Sequence, residues 1–287
     1  MTPVETDTDT AAYFETAAAP PGSGLYYACL FTEPRYRPQI LALHTLENEL
    51  VKSLTSIQDP GVARLRLEWW CEEIQRAGNA EARHPLGREL QPYILDGVPD
   101  ARSLIDAIQA LESELLVTDA DDFSQLQQQY RDHFGPLWRL SAACCGVTGD
   151  AALASAARLG GLHHMSRALQ DLSRSLQQGR CRPLPRGELD AAGLVPETLA
   201  AATNRNDILA SQVRRLRRTL DEAWHDYPPD LAPPFLHGLI LCRLDAVLLE
   251  EIEQDGARLL EQSYSLTPLR RLWLAWRTRR RVLKRAR

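Results

Sequence analysis

The chain has no two cysteines at CxxC spacing and no stretch of more than a few residues that alternates apolar with polar. It also has no apolar run of the about 18 residues that a membrane span needs. Each absence removes a class. Cys29, Cys71, Cys144, Cys145, Cys181 and Cys242 are scattered, so they read as mostly buried thiols in a reducing compartment rather than as zinc ligands or a redox pair. Without an apolar run there is no transmembrane helix. Without period-two alternation there is no strand signal, and the chain is expected to be all-α. No segment repeats at a fixed period. The start, MTPVETDTDT, lacks the basic residues and apolar block of a secretory signal. The location expected from this is cytoplasmic, with the inner membrane surface as a second place of residence.

What is present is ordinary in amount and uneven in placement. The chain has 287 residues, 44% of them hydrophobic and 25% charged, enough to bury a sizeable core. A net charge of −5 argues against general nucleic-acid binding. That figure hides an asymmetry, since residues Arg270 to Arg287 hold nine Arg or Lys and no acid. Residues 1–23 read as a flexible tail ending at Pro20-Pro21-Gly22. Residues 24–287 read as a single helical domain with a basic C-terminal tail at 277–287.

Helical spacing organises the body. From Gln39 to about Ser56, Ile40, Leu43, Leu50 and Leu54 share a stripe, interrupted by Glu47. An acid there needs a partner or water. The plain reading is a carboxylate at the stripe's edge, paired with an Arg. After the turn Asp59-Pro60-Gly61, a helix places Leu67, Trp70, Cys71 and Ile74 inward and ends at Gly78, with Arg64–Glu68 and Glu72–Arg76 as i,i+4 pairs. Further helices are expected at about 101–117, 122–146, 150–178, 197–226, 233–262 and 267–285, with a loop at 183–196.

The stretch LGGLHHMSRALQDLSRSLQQGRCRPLP, residues 159–185, holds the residues most suggestive of chemistry. Spacing puts His164, Ala168, Asp171 and Ser175 on one helix face. Adjacent His163 and His164 point about 100° apart, so one is expected inside and one outside, and no other His or Cys has zinc spacing. Arg180 and Arg182 follow the helix end, where cations either offset the helix dipole or meet an anionic ligand.

This stretch resembles the second signature of the squalene/phytoene synthase family in its glycines, its Gly179-Arg180 pair and its Leu184-Pro185 exit. LYYACLFTEPRYRPQILALHTLENEL resembles the family's opening, RLEWWCEEIQRAGNAEARHPLGREL its next helix, FGPLWRLSAACCGV the segment before the second signature, and SLTPLRRLWLAWR its C-terminal helix. The resemblance spans roughly residues 25–277 in order. It implies an isoprenoid-synthase bundle around a central cavity. There, carboxylates from two facing helices hold Mg²⁺ against a prenyl diphosphate so that an allylic cation forms.

Both acid clusters are depleted. After Asn48-Glu49 stands Leu50-Val51-Lys52-Ser53-Leu54, and the second cluster keeps Asp171 but has Ser175 at the partner position and Arg167 in place of Asn. Glu47 and Glu49 lie about a half-turn apart and cannot reach one ion from a regular helix. The depletion is similar to a branch that includes the mitochondrial complex I assembly factor with a squalene/phytoene synthase-like domain. The resemblance therefore implies a non-catalytic isoprenoid-binding or assembly-factor-like protein with no metal or cofactor. Its ligand residues would be His164, Arg167, Asp171, Arg180 and Lys52, and its partners an isoprenoid or lipid-like ligand in the cavity and a membrane or protein at the basic end. The alternative is an active Mg²⁺-dependent prenyltransferase, condensing isoprenoid diphosphates at a metal site rebuilt from Glu47 or Glu49 and Asp171.

The basic end has two readings. Leu269, Leu272, Trp273, Trp276 and Leu283 lie among its cations. Residues 267–276 are expected to pack on the bundle, and the tail beyond Arg277 to meet a membrane or partner.

Overall fold

The computed structural model describes residues 19–57, 59–116, 119–177 and 182–287. Most of the expected N-terminal tail, and Gly179, Arg180 and Cys181, lie outside the described residues. Thirteen α-helices are found among the described residues, and no strand.

They are α1 (Gly24–Phe31), α2 (Arg37–Thr55), α3 (Pro60–Gly78), α4 (Pro85–Leu95), α5 (Ala101–Glu112), α6 (Phe123–Cys144) and α7 (Asp150–Gln170). The short α8 (Leu172–Gln177), α9 (Arg186–Ala191) and α10 (Pro196–Leu199) follow, then α11 (Arg205–Asp226), α12 (Leu236–Gln254) and α13 (Pro268–Arg285).

Local chemistry sets the starts. Asp59 caps α3, accepting from the Gly61 amide at 2.7 Å, with Pro60 in the first turn where its missing N–H costs nothing. Asp100 and Asp122 cap α5 and α6 in the same way, at 2.9 and 2.8 Å from the Ser103 and Gln125 amides. Glu73 works across a loop. Fully buried, it accepts from the Arg83 and His84 amides at 2.7 Å each and from Arg76 at 2.9 Å, pinning the polar turn between α3 and α4. The surface pairs Arg64–Glu68 and Arg76–Glu72 form as their spacing predicts.

Two helices form the centre. α12 buries residues on all sides, from Leu236 to Ile252, as a helix with no polar face must. α7 packs against α6, α11 and α12. Its Gly160-Gly161 doublet lets α6 come close. A Cβ on Gly161 would lie 2.7 Å from the Arg131 backbone, and one on Gly160 would lie 2.4 Å from the Trp138 ring. α2 completes the inner layer against α6, with Ile40, Leu43, Leu46, Leu50 and Leu54 buried. α3, α4 and α5 flank this layer, and α13 closes the other end against α1 and α12.

Several elements differ from the sequence reading: the helix expected at 197–226 is split into α10 and α11, and that expected at 233–262 runs from Leu236 to Gln254. The helix expected over 150–178 breaks at Asp171, which caps α7 before α8 begins. The expected loop at 183–196 contains α9, whose Glu188 binds Arg215 and Gln212 of α11 and so ties the segment down.

Because α6 and α7 meet backbone to side chain at the doublet, Gly161→Ala is expected to lower stability by about 1–3 kcal/mol or more. Urea melts followed by circular dichroism would measure this, with an unchanged m-value showing that the fold is retained.

Candidate functional site

Where α2, α6, α7 and α12 converge, the core is polar. Glu47 on α2 is buried, and both its carboxylate oxygens are engaged. His44, three residues earlier on the same face, meets Oε2 through Nδ1 at 2.8 Å. Trp138 of α6 donates its indole N–H to Oε1 at 3.0 Å, and His164 Nε2 of α7 meets the same oxygen at 2.8 Å. Phe134 stacks on the His164 ring at 4.4 Å between centroids and covers it.

A second pair lies beside the first. His163 Nδ1 sits 2.6 Å from Asp245 Oδ2 on α12. His237, also on α12, places Nε2 2.8 Å from Ser141 Oγ and packs edge-on against His44. His44 Nε2 is buried and has no hydrogen-bond partner among the described residues. It is where this network could accept one from a hydroxyl.

The electrostatics follow from burial and donors. Burial alone would raise the Glu47 carboxyl, but the pull of His164 and the hydrogen bonds from His164 and His44 outweigh it and hold the group well below the usual carboxylate range. Burial lowers His164, against the attraction of Glu47, and lowers His237 further still. Because the Glu47 carboxylate can only accept, His164 Nε2 carries the proton shared with it. The thiols nearby are inert: burial pushes Cys144 up to about 12 and holds Cys145 and Cys242 well above the ordinary thiol range.

Several sequence expectations need correction here. Glu47 is not an edge acid paired with an Arg; it sits inside, held by two imidazoles and an indole. His163 and His164 are both buried, because α7 is surrounded and each ring finds a different neighbour.

The other candidates are dispersed. Glu49 diverges from Glu47 as its position requires, and pairs at the surface with Lys52 at 2.6 Å and Arg66 at 3.1 Å. Arg167 and Asp171 are exposed, and among the described residues no hydrogen bond or ion pair joins Asp171's side chain to Arg167 or His164. Arg182 reaches Glu114 at 2.5 Å, which also holds His133. Arg180 lies outside the described residues. Trp138, Ser141, Asp245 and His237 were not anticipated. An Asp and a His inside the apolar run LHGLILCRLDAVLLE were the available signal for the last two.

The residues present do not fit the Mg²⁺ that the resemblance implies. Mg²⁺ takes near-octahedral oxygen ligands. Here the axis offers imidazoles and two carboxylates already engaged, Glu47 by three N–H groups and Asp245 by His163. Among the described residues no group of three His, Cys, Asp or Glu could hold a metal. No helix among them is long and apolar enough to cross a membrane.

The low positions of His164 and His237 give a signed pH dependence. The unfolded chain takes up protons first as pH falls below about 6.5, so stability drops from there until the folded values are passed. Glu47 adds to this at lower pH: its contribution is complete above its unfolded value near 4.5 and is lost as pH falls toward its depressed folded value. Thermal melts from pH 7.5 to 4 are expected to show falling Tm below about 6.5, with a shallower slope between about 6.5 and 5 for His237→Gln. Trp138→Phe is expected to cost about 1.5–3 kcal/mol at neutral pH by removing a donor to a buried charge.

Comparison with known proteins agrees with this architecture. A family model described as squalene/phytoene synthase matches residues 19–277. The structure is similar to that of squalene synthase HpnC from Alicyclobacillus acidocaldarius, with a TM-score of 0.69 and 22% sequence identity, covering 86% of this chain and 93% of that one. It is also similar to a dehydrosqualene synthase solved in complex with ligand, with a TM-score of 0.71 and 13% identity, covering 96% and 97% of the two chains. Comparison with curated proteins gives no match.

Proposed function

The chain belongs to the squalene/phytoene synthase family, and from that membership we propose that it is a non-catalytic member, an isoprenoid-binding or assembly-factor-like protein. One observation carries the reading. Both oxygens of the carboxylate at the bundle axis, Glu47, are already engaged, by His44 on one and by Trp138 and His164 on the other.

A prenyl diphosphate brings several negative charges. Ionising it requires cations that gather those charges as the leaving group departs. The axis supplies the opposite: buried carboxylates held by imidazoles, and no Lys or Arg among the buried residues described. A diphosphate there would meet repulsion in a low-dielectric setting. A neutral isoprenoid or lipid-like ligand, carrying at most a hydroxyl for His44 Nε2, would bring no charge for Glu47 to repel. The acids that the catalytic alternative needs, Glu47, Glu49 and Asp171, stand respectively in the core, in a surface ion pair and exposed at a helix end. The assembly-factor form of this reading uses the bundle as a rigid body for a protein partner.

Purified protein incubated with farnesyl or geranylgeranyl diphosphate is expected to release no pyrophosphate, with or without Mg²⁺. Mg²⁺ is expected to leave its Tm unchanged. Mg²⁺-dependent release that Glu47→Gln or Asp171→Ala abolishes, in protein shown to be folded, would make it a working prenyltransferase and end this reading.

A further inference from the structure

The last helix, α13, is amphipathic twice over. One face buries Leu274, Ala275, Thr278 and Val282 in the bundle, and α13 packs there against α1 and α12. This face is tied at both ends: Arg271 donates to the Gly22 carbonyl at 2.6 Å, and Arg285 to the His225 carbonyl at 2.8 Å. The opposite face presents Leu269, Leu272, Trp273, Trp276 and Leu283, all exposed, with Trp273 49% and Trp276 41% accessible. Sequence reasoning divides this helix along its length at Arg277. The structure divides it around its axis, with packing continuing to Val282 and the free face beginning at Leu269.

The free face is basic throughout. Arg277 lies over the Trp273 ring at 5.0 Å and Arg280 over the Trp276 ring at 4.9 Å. Among the described residues, no carboxylate pairs with Arg277, Arg279, Arg280, Lys284 or Arg287, and the sequence holds no acid from Arg270 to Arg287. Exposed Trp and Leu flanked by unneutralised cations along an 18-residue helix make a long, nearly flat strip. It lacks the enclosed, converging donors with which a protein grips a single small anion. A sheet of anionic headgroups over an apolar layer matches both halves of its chemistry: indole and Leu enter the boundary, and guanidinium groups meet phosphates.

We propose that this face of α13 docks the protein on an anionic lipid surface, the helix lying in the plane of the interface with its opposite face still bound to the bundle. The proposal goes beyond the reading of the axis and does not depend on whether the bundle is catalytic.

The test is co-sedimentation of the full chain with phosphatidylcholine vesicles, with and without phosphatidylglycerol, across a salt series. Binding is expected only with phosphatidylglycerol and is expected to weaken as salt rises. Removing cations should weaken it by roughly fivefold each, or on the order of a hundredfold for R277Q/R280Q/K284Q. W273S/W276S should bind weakly even at low salt. These side chains are exposed, so both variants should keep the wild-type circular dichroism and Tm. Four outcomes would overturn the proposal. They are absence of binding, equal binding to neutral vesicles, competition by soluble glycerophosphoglycerol at the lipid's own headgroup concentration, and tighter binding to a DNA duplex than to vesicles. A dimer in light scattering that W273S/W276S dissolves would assign the face to a second copy of this chain instead.

Discussion

A carboxylate cannot remain ionised inside a helical bundle unless donors surround it, and that constraint fixes three of the four central helices. Glu47 is placed by α2, but its donors come from α2, α6 and α7. A shift of either partner helix by a fraction of a turn would leave a charge unsolvated, which costs several kcal/mol. The hydrophobic contacts of α2 tolerate sliding, because Leu and Ile are interchangeable over small displacements. The hydrogen bonds to Glu47 do not. The Gly160-Gly161 doublet belongs to the same arrangement. It brings α7 close enough to α6 for the Trp138 ring to lie against Gly160 while its N–H reaches Glu47.

The same logic extends through His163–Asp245 to α12. That helix is mostly apolar along its inner turns, and its Arg243, Glu251 and Glu253 pair outward with Asp221, Arg270 and Arg214/Arg217. Inside the bundle, the His163–Asp245 contact and Ser141 against His237 fix the same rotational setting. The polar axis thus acts as a register device in a bundle whose greasy surfaces would accept several. In a family where facing acids are expected to gather metal, the corresponding interior here pairs its carboxylates, Glu47 and Asp245, with imidazole and indole.

Much of this was legible from the chain alone, for identifiable reasons. Helix starts and stops follow from caps, prolines and amphipathic spacing, which are local, and α2, α3, α6 and α13 lie within a few residues of where spacing places them. Glu47 was visible as an anomaly because it interrupts an apolar stripe. Its partners were not, since Trp138 and His164 lie 91 and 117 residues away and no local rule links them. The divergence of adjacent side chains was applied correctly to His163 and His164 but with the wrong surroundings. It separates inside from outside only when one side of a helix is solvent, and α7 has neighbours on α6, α11 and α12. The face assigned to His164 and Asp171 failed for another reason: α7 stops at Gln170, so the periodicity that joined the two does not continue.

The hydrogen bond from Arg271 to Gly22 closes the chain on itself across 249 residues. α1 packs on α12 and α13, the last two helices in the sequence. During synthesis the first helix therefore leaves the ribosome with none of these long-range partners, and its Leu25, Ala28 and Cys29 stay uncovered until almost the whole polypeptide has emerged. The inner helices α2 to α7 can assemble meanwhile from contacts nearer in sequence. Closure by α1, α12 and α13 is then a late, non-local step, the kind whose chain-entropy cost makes it slow. Residues 22–31 are thus made well before the helices that seat them.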